Sequence, residues 1–501
     1  MSRGSRAWVV WPLVAFAVHA VSPLGYGWFR DELYYVACAR RLAWGYVDHP
    51  PLSIALLRGV LALAGTSLLA MRLAAAALAA LTVLAVGLMT RELGGGERAR
   101  TVAMLATLCA PVILALDSYY SMNAFDLLAW AVATILFLRA LRARTRGAWC
   151  GFGLAIGLGL LNKLSVLWLG GGFGVGLLLT ARRAELRRTG PWLAGALAFA
   201  VAAPHLLWQA LQGFPTIEFM RNASSEKMRA TTALEFAASQ VMTLGPACVL
   251  LAALGLGACF RRRPDGRALV LGIAWLAIFG LLAANGTSRS YYLTPACLWL
   301  FAMGGVALEE RAARAFPLYP AAITALVAFG VVCAPLAMPI LPTETYIRYA
   351  RALGVEPSTE ERQTLGPLPQ FFADMHGWED FAASVERAAD QLPAERRAHA
   401  AFFGSNYGEA AAVEVLGGDR AAFSGHNSYW LWGPPDETID AVVVATYDDA
   451  RLRELFDHVA KAGTTSCGPY CMPDENDVPL YAAWGHRIPW GTLWPSLRHY
   501  D

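Results

Sequence analysis

A polar loop near the start of the chain, GYGWFRDELYYVACARRLAWGYVDHPPL (25–52), holds the residues best suited to chemistry. Asp31 and Glu32 are adjacent, so on a helix their side chains diverge by about 100° and cannot face one target equally. We expect one carboxylate to act while the other supports it. A carboxylate beside an apolar phase can accept a proton from a hydroxyl nucleophile. The alternative is that both residues only cap a surface helix.

The same loop carries a second pair, Asp48 and His49, directly before the stiff Pro50-Pro51. An acid beside an imidazole suits a metal ion or a phosphate. A histidine whose polar tip simply reaches water is the structural alternative.

Three further segments place charged groups within or at the ends of apolar runs, where such groups are costly and therefore functional candidates. Asp117 and Asn123 bracket the turn DSYYSMN, which we expect to face the first loop, and Asp126 follows it. Lys163 lies in GLLNKLS, between two short apolar runs, where its ammonium could hold an anionic headgroup or merely anchor a helix end.

The segment NGTSRSYYLTP (285–295) presents a cation, Arg289, beside Tyr291 and Tyr292. Anchoring in an aromatic belt would also explain the two tyrosines.

The composition of the chain indicates that these residues belong to a membrane protein. The chain has 501 residues, of which 56% are hydrophobic and 16% charged, whereas soluble domains have about 25% charged residues. The net charge of +3 gives no nucleic-acid-binding footprint. No GxxxxGK[ST], HExxH or GxSxG motif is present, so nucleotide hydrolysis, zincin proteolysis and elbow-type esterase chemistry lack their parts.

Apolar runs long enough to span a bilayer predict about eleven transmembrane helices. The runs cover 7–24, 67–90, 101–118, 124–141, 149–162, 164–180, 191–208, 236–260, 268–284, 292–308 and 317–340. The basic start, with Arg3 and Arg6, precedes a stretch that could imitate a signal peptide. The similar spans that follow favour an uncleaved first helix.

Arginines mark every second connection, which predicts that those connections face the cytoplasm. They are Arg91, Arg98, Arg100, Arg139, Arg142, Arg144, Arg146, Arg182, Arg183, Arg187, Arg188, Arg261, Arg262, Arg263 and Arg267. An odd number of spans then places residues 341–501 outside, together with the loops 25–60, 117–123, 209–235 and 285–291. The candidate residues all lie on this outer face.

The chain becomes polar and proline-bearing after residue 340. We therefore predict a transmembrane domain over 1–340 and a small extracytoplasmic α/β domain over 341–501. Within the latter, 401–406 and 441–447 read as buried strands, and 378–392 and 449–462 as amphipathic helices. Cys467 and Cys471 could form a disulfide or remain as free thiols.

The DE pair followed by His-Pro-Pro resembles the membrane glycosyltransferases related to dolichyl-phosphate-mannose protein mannosyltransferases, a group that includes aminoarabinose and galacturonic acid transferases to lipid A. Further matching blocks span nearly the whole chain, and those of the tail are similar to bacterial family 39 glycosyltransferases. These blocks are SMNAFDLLAW (121–130), GLGLLNKLS (157–165), PHLLWQALQGFPTIEF (204–219), SRSYYLTP (288–295), NYGEAAAVEVLG (406–417) and SGHNSYWLWGPP (424–435).

The resemblance implies a GT-C fold, a polytopic helical bundle whose outer cavity accepts a polyprenyl-phosphate-linked sugar and transfers it with inversion. Asp31 would be the base or the carboxylate that orients the acceptor, with Glu32 beside it. Tyr35 and His49 would approach the donor phosphate, although relatives often have lysine where this chain has His49. Asp48 stands where some relatives place an acidic metal ligand, so a divalent metal ion is a possible cofactor.

The leading hypothesis is therefore an inverting glycosyltransferase of the inner (plasma) membrane, with its C-terminal domain in the periplasm and membrane lipids around the bundle. Its acceptor would be lipid A, another glycan or a protein. Lys163, His49, Arg289 and Tyr292 would steady the donor phosphate, and Asp117 and Asn123 would contact substrate. The alternative is a transporter or flippase for a lipid-linked or anionic solute, which would place its coupling charges near the bilayer midplane.

Overall fold

All eleven apolar runs contain helix in a computed structural model that describes residues 7–22, 25–261, 266–313, 315, 317–418 and 420–501. Arg3, Arg6, Arg262 and Arg263, which contributed to the predicted orientation, lie outside the described residues. The helices up to residue 340 are α1 (Ala7–Ala20), α2 (Arg30–Arg40), α3 (Leu52–Ala64), α4 (Leu68–Glu92), α5 (Glu97–Cys109), α6 (Pro111–Leu116), α7 (Met122–Ala143), α8 (Arg146–Leu160), α9 (Val166–Leu178), α10 (Thr189–Leu211), α11 (Pro215–Asn222), α12 (Ala233–Leu244), α13 (Pro246–Cys259), α14 (Arg267–Ala284), α15 (Thr294–Ala312) and α16 (Leu318–Ala337).

Six of the described helices are long and apolar enough to cross a membrane unaided: α4, α7, α10, α14, α15 and α16. The bent pair α12 and α13 makes a seventh if it forms one span, and α1, α3 and α9 are shorter apolar helices. The prediction of a polytopic helical membrane protein is confirmed, while the count of eleven crossings stays a prediction.

The run 236–260, predicted as one span, is instead two helices that meet at an angle of 114°. Gly245 between them has φ +79°, a conformation that glycine adopts without steric cost. Pro246 follows as the first residue of α13, where its missing N–H would have had no partner in the helix. Local backbone chemistry therefore breaks a helix that hydropathy alone joins.

The C-terminal part contains a five-stranded sheet in the order β2-β1-β3-β5-β4. Strands β1, β2 and β3 pair in parallel, whereas β5 is antiparallel to both β3 and β4. The strands are β1 (Ala401–Phe403), β2 (Ala422–Phe423), β3 (Ala441–Ala445), β4 (Phe456–Thr464) and β5 (Pro479–His486). The helices are α17 (Thr343–Ala352), α18 (Gln370–Ala373), α19 (Trp378–Ala389), α20 (Ala394–Arg397), α21 (Tyr407–Leu416), α22 (Asn427–Leu431), α23 (Asp449–Leu455) and α24 (Trp490–Leu493).

Most predictions for this α/β region hold, since β1, β3 and α19 lie where the sequence pattern placed them. The helix predicted over 449–462 is wrong beyond Leu455, because the chain continues as β4. Apolar residues such as Leu452, Phe456 and Val459 imitate a helical period, but backbone pairing with β5 decides the conformation. Cys467 and Cys471 are joined by a disulfide.

The loop predicted over 25–60 contains α2 and α3, and α2 is part of a core shared with the C-terminal sheet region. Leu33 and Val36 of α2 belong to the same buried cluster as Phe381 of α19 and Val413 of α21. A division of the chain at residue 341 stays a prediction, but apolar burial continues across it.

The two ends of the bundle contact different partners. At one end, Glu92 forms ion pairs with three arginines from the basic connections, Arg139, Arg142 and Arg267. At the other end, all four loops predicted to face outward contact the C-terminal part. The contacts are Asp31 with Tyr407, Tyr119 with Phe371, Glu218 with Arg498, and Arg289 with Glu361. The arginine pattern therefore separates the two ends correctly.

Candidate active site

Asp31 lies in the first turn of α2, partly exposed, and is held from the C-terminal part of the chain. Its Oδ1 accepts a 2.9 Å hydrogen bond from the Tyr407 hydroxyl. Tyr407 is the first residue of α21, a helix capped by the Asn406 side chain, which accepts two backbone N–H bonds. Burial raises the pKa of the Tyr407 phenol, the Arg30 guanidinium opposes the rise, and the negative charge of Asp31 adds to it. The phenol is therefore kept protonated as a donor.

Glu32 points away from Asp31 and is completely buried. Its carboxylate pairs with Arg72 of α4 at 3.1 Å and accepts backbone N–H bonds of 3.0 Å from Phe29 and from Tyr120. These bonds join the start of α2, the span α4 and the 117–121 turn. Glu32 therefore fixes the geometry around Asp31, and the two adjacent carboxylates face different surroundings, as their helical separation predicts.

Lys163 lies in the connection between α8 and α9, and polar and aromatic side chains of other segments surround its ammonium group. Nζ donates a 2.6 Å hydrogen bond to Asn123 Oδ1 and is 3.8 Å from Asp126 Oδ2. The ring centroids of Tyr291 and Tyr292 both lie 5.4 Å from Nζ. An ammonium has three donors, so this cation can still bind an anionic group while its own position is fixed.

Tyr119, which was not predicted as a site residue, interacts with Asp31 and with Asn123, the residue that binds Lys163. Its pKa is raised to about 12, first by burial and then by the nearby charge of Asp31, while hydrogen bonding with Ser121 and Asn123 lowers it. The phenol therefore stands between the carboxylate and the asparagine that binds Lys163. Only its place in the quoted turn DSYYSMN could have indicated it from the sequence.

Arg30 and Arg289 surround this region with two largely buried ion pairs. Arg30 Nη2 is 3.5 Å from Asp374 Oδ2, and Arg289 Nη2 is 2.5 Å from Glu361 Oε1. Arg30, Asp374 and Glu361 were not predicted, because each pair joins residues distant in sequence.

The two acids of these pairs respond differently to burial. Burial raises the pKa of Asp374 to about 7, although Arg30 opposes the rise. Burial would also raise the pKa of Glu361, but Lys227, Arg289 and Arg30 act together and lower it to about 2. The Glu361 carboxyl group is therefore ionised at neutral pH, whereas Asp374 can exchange a proton near neutral pH.

His49 and Tyr35, predicted to approach a donor phosphate, are enclosed in protein. His49 is buried against the rings of Tyr35 and Tyr46, at centroid distances of 4.9 and 4.7 Å, and its Nδ1 lies 3.1 Å from the Pro50 carbonyl. The Tyr35 hydroxyl accepts the Met122 N–H at 3.4 Å. The structure gives both side chains packing contacts, and the approach of either one to a donor phosphate stays a prediction.

Asp117 forms no side-chain hydrogen bond with another candidate among the described residues, and its contact with substrate stays a prediction. It is buried at the end of α6, and neither carboxylate oxygen has a hydrogen-bond partner among the described residues. The His19 side chain instead bonds to its backbone. The turn that begins at Asp117 does face the first loop, but through Tyr119 and Tyr120.

A metal site is the remaining sequence-based expectation, and Asp48 was its candidate ligand. Asp48 Oδ1 accepts the Tyr34 hydroxyl at 3.0 Å, and burial raises its pKa. Within the described ranges, the one group of three ligand-type side chains found to converge is His426, His499 and Asp501.

That group does not fit a metal ion as it stands. The His426 and His499 rings stack at 4.7 Å with an interplanar angle of 28°, whereas each ligating imidazole must hold the ion in its own ring plane. His426 Nε2 is also 2.9 Å from the Asp501 carbonyl.

Comparison with known proteins agrees with the fold and with part of the sequence. The model of the dolichyl-phosphate-mannose-protein mannosyltransferase family matches residues 48–208. The lipid A galacturonosyltransferase RgtD of Rhizobium johnstonii is 26% identical over 260 residues, which are 50% of this chain and 53% of RgtD. The chain thus spans about half the length of this curated relative.

Two crystal structures of ArnT from Cupriavidus metallidurans match almost the whole chain. The apo structure has 15% identity and a TM-score of 0.64, covering 96% of this chain and 98% of that one. The structure bound to undecaprenyl phosphate has 16% identity and a TM-score of 0.62, covering 95% and 97%. The chain therefore has the fold of ArnT, and its resemblance to the GT-C membrane glycosyltransferases of the family 39 group is confirmed.

Proposed function

We propose that this protein is an inverting glycosyltransferase that moves a sugar from a polyprenyl-phosphate donor to a hydroxyl group on the outer face of the membrane. The observation that carries the proposal is that the 117–123 turn contacts both a carboxylate region and an ammonium at the end of the bundle opposite the basic connections. The Tyr120 N–H donates to Glu32, which is adjacent to Asp31, and Asn123 accepts a hydrogen bond from Lys163. Glycosyl transfer from a phosphate needs this combination, a proton acceptor for the nucleophile and a cation for the leaving group.

Asp31 would orient the acceptor through Oδ2. No hydrogen bond to this oxygen comes from the described residues, whereas Oδ1 is taken by Tyr407. The acceptor oxygen bonds to C1 of the sugar as its proton passes to the Asp31 carboxylate. The bond from C1 to the phosphate oxygen breaks, and its electron pair leaves with the polyprenyl phosphate. Because a phosphate is a good leaving group, no separate acid is required.

The donor phosphate would lie near Lys163, Tyr292 and Arg289. Lys163 supplies a charge-assisted hydrogen bond, the stronger kind for phosphate oxygens. Arg289 is partly neutralised by Glu361, but its buried Nε has no acceptor among the described residues. Asn123 holds Lys163 and would thereby act on substrate indirectly. The similarly folded ArnT binds undecaprenyl phosphate, which supports a polyprenyl-phosphate donor for this protein.

The cellular setting of the proposal is the inner membrane, with the C-terminal part in the periplasm. The Cys467–Cys471 disulfide supports an oxidising compartment, and the basic connections support a cytoplasmic location for the other end. The acceptor classes are lipid A, for which RgtD is named, a surface polysaccharide, or a protein.

The test is a reconstituted assay that measures both transferred sugar and released polyprenyl phosphate. Wild-type protein in vesicles should release one polyprenyl phosphate for each sugar transferred. Asp31→Asn should lower transfer by about 10²–10⁴-fold, with expression unchanged. The control is Asp457→Asn, an exposed aspartate in the C-terminal part, which should retain activity.

The same assay separates the proposal from transport. A transporter or flippase would move the lipid-linked sugar across the bilayer without releasing polyprenyl phosphate. That outcome, or near-normal transfer by Asp31→Asn, would overturn the proposed chemistry.

A further inference from the structure

We propose that the C-terminal part supplies a positioning residue to the reaction: Tyr407 holds Asp31 so that Oδ2 faces the acceptor hydroxyl. This inference rests on the proposed function and deepens it. It also gives α21 a role in the reaction, because this helix carries Tyr407. The carrying observation is the 2.9 Å hydrogen bond from the Tyr407 hydroxyl to Asp31 Oδ1, which joins residues 376 positions apart.

The Tyr407 ring has little freedom to move. It is 7% exposed, and the rings of Tyr34 and His426 lie 4.6 and 5.0 Å from it. The Arg30 guanidinium lies 5.6 Å from its centroid. A phenol fixed on several sides presents its hydroxyl in one direction, so Asp31 receives a donor of defined geometry.

The start of α21 is packed unusually close to α2. A Cβ added at Gly408 would lie 2.6 Å from Arg30 Cγ, closer than carbon atoms of packed side chains approach. A glycine at position 408 therefore allows Tyr407 to contact Asp31 while the Arg30 side chain extends to Asp374. The sequence NYGEA at 406–410 combines the cap, the phenol and this glycine in consecutive positions.

The other end of α21 is also fastened to the first loop. Glu414 accepts a 2.8 Å hydrogen bond from Arg41 and one of 3.4 Å from Arg40. In the segment that follows, Ser428 Oγ accepts the Val47 N–H at 3.2 Å. The α21 helix therefore lies along α2 with contacts at both ends, and Tyr407 can act as a fixed support.

The hydrogen bond has two consequences for Asp31. It opposes rotation of the carboxylate, and it occupies Oδ1 so that Oδ2 is the oxygen left for the acceptor hydroxyl. The other charged or titratable groups that face Asp31 are Arg30 and Tyr35 on α2, Asp48, Tyr119 on the 117–121 turn, and Asp374 after α18. Removing this donor should therefore lower the rate of the chemical step.

The experiment compares Tyr407→Phe with Tyr429→Phe. Tyr429 is a matched control, since it is 2% exposed and its hydroxyl also donates a 2.9 Å hydrogen bond to a carboxylate, that of Glu414. For Tyr407→Phe, kcat should fall by about 10- to 100-fold while the donor KM stays unchanged. For Tyr429→Phe, kcat and the donor KM should match wild type, although the thermal midpoint falls similarly.

The inference is overturned if Tyr407→Phe keeps a normal kcat, or if Tyr429→Phe loses activity to the same extent. Failure of the underlying function looks different: wild-type protein then releases no polyprenyl phosphate, or Asp31→Asn stays active. The positioning role alone would be overturned if wild type is active, Asp31→Asn is inactive and Tyr407→Phe is normal.

Discussion

The two ends of the helical bundle both pair arginine with buried glutamate, but they differ in how exposed these arginines are. At the basic end, Glu92 has three arginine partners, and Arg139 and Arg142 are 48% and 60% exposed. At the outer end, the arginines that pair with buried acids are themselves more buried: Arg30 and Arg72 are 12% and 0% exposed. Exposed arginines fit a role in membrane orientation, whereas buried acids at a membrane boundary fit a reaction site.

Buried carboxylate oxygens without a hydrogen-bond partner among the described residues occur at both ends. They are Glu185 Oε2 at the basic end, and Asp374 Oδ1 and Glu475 Oε2 at the outer end. Native structures leave few such groups, and those that persist concentrate where function needs them. Substitutions at matched positions of the two ends can therefore test whether the outer end is organised for chemistry.

The largest effect on stability is expected for Arg72→Met. This change leaves the fully buried Glu32 without its cation, a loss that typically costs about 3–5 kcal/mol. The control is Arg142→Met at the basic end, where Glu92 keeps two other arginines, and the expected cost is about 1 kcal/mol or less. Unfolding in detergent measures both, and equal losses would remove the distinction between the ends.

Glu361→Gln should remove a pH-dependent contribution of up to about 3 kcal/mol. The folded pKa of Glu361 is about 2, below its usual 4.5. Its contribution is therefore fully present above pH 4.5 and is lost as the pH falls toward 2. Thermal midpoints of wild type should decline more steeply with acidification over this interval than those of the variant. Parallel curves would contradict the assigned ion pairs.

Asp374→Asn should show the opposite slope. Burial raises the folded pKa of Asp374 to about 7, against a usual 3.8. Its contribution is therefore present below pH 3.8 and is lost as the pH rises through 7. The variant should gain stability relative to wild type between pH 4 and 7, as thermal midpoints would record. A relative loss over the same interval would mean that Arg30 keeps this acid ionised.

Lys163→Met should lower kcat/KM for the lipid-linked donor by about 10- to 100-fold, because one charge-assisted hydrogen bond to phosphate is lost. Arg188→Met is a suitable control, since Arg188 is a half-exposed cation at the basic end. Initial rates at varied donor concentration separate the two. An unchanged kcat/KM would place the phosphate elsewhere.

The smallest effect is expected for Glu414→Gln. Its partners Arg40 and Arg41 are more than one-third exposed, and exposed ion pairs contribute about 1 kcal/mol or less. The thermal midpoint should fall slightly while transfer stays normal. A large loss of transfer would mean that the fastening of α21 matters more than its phenol.

Sequence patterns predict the apolar helices, the polar loop and the separation of the two ends, because hydropathy and arginine placement are local properties. They do not predict that Glu32 pairs with Arg72 or that Tyr407 reaches Asp31, since these contacts depend on how distant segments pack. The helix predicted through 449–462 fails for the same reason, because pairing with β5 is not written in the apolar spacing of β4. The sequence likewise does not predict that three tyrosines pack around His49, while its place near a phosphate stays a prediction.

The central claim is that Asp31 acts in the chemical step, on a site completed by the C-terminal part. A single-turnover measurement with both substrates saturating tests it directly, because it separates chemistry from binding. Asp31→Asn should bind the polyprenyl-phosphate sugar with normal affinity and transfer it at least about 100-fold more slowly than wild type. Transfer at the wild-type rate, with donor bound, would contradict the account.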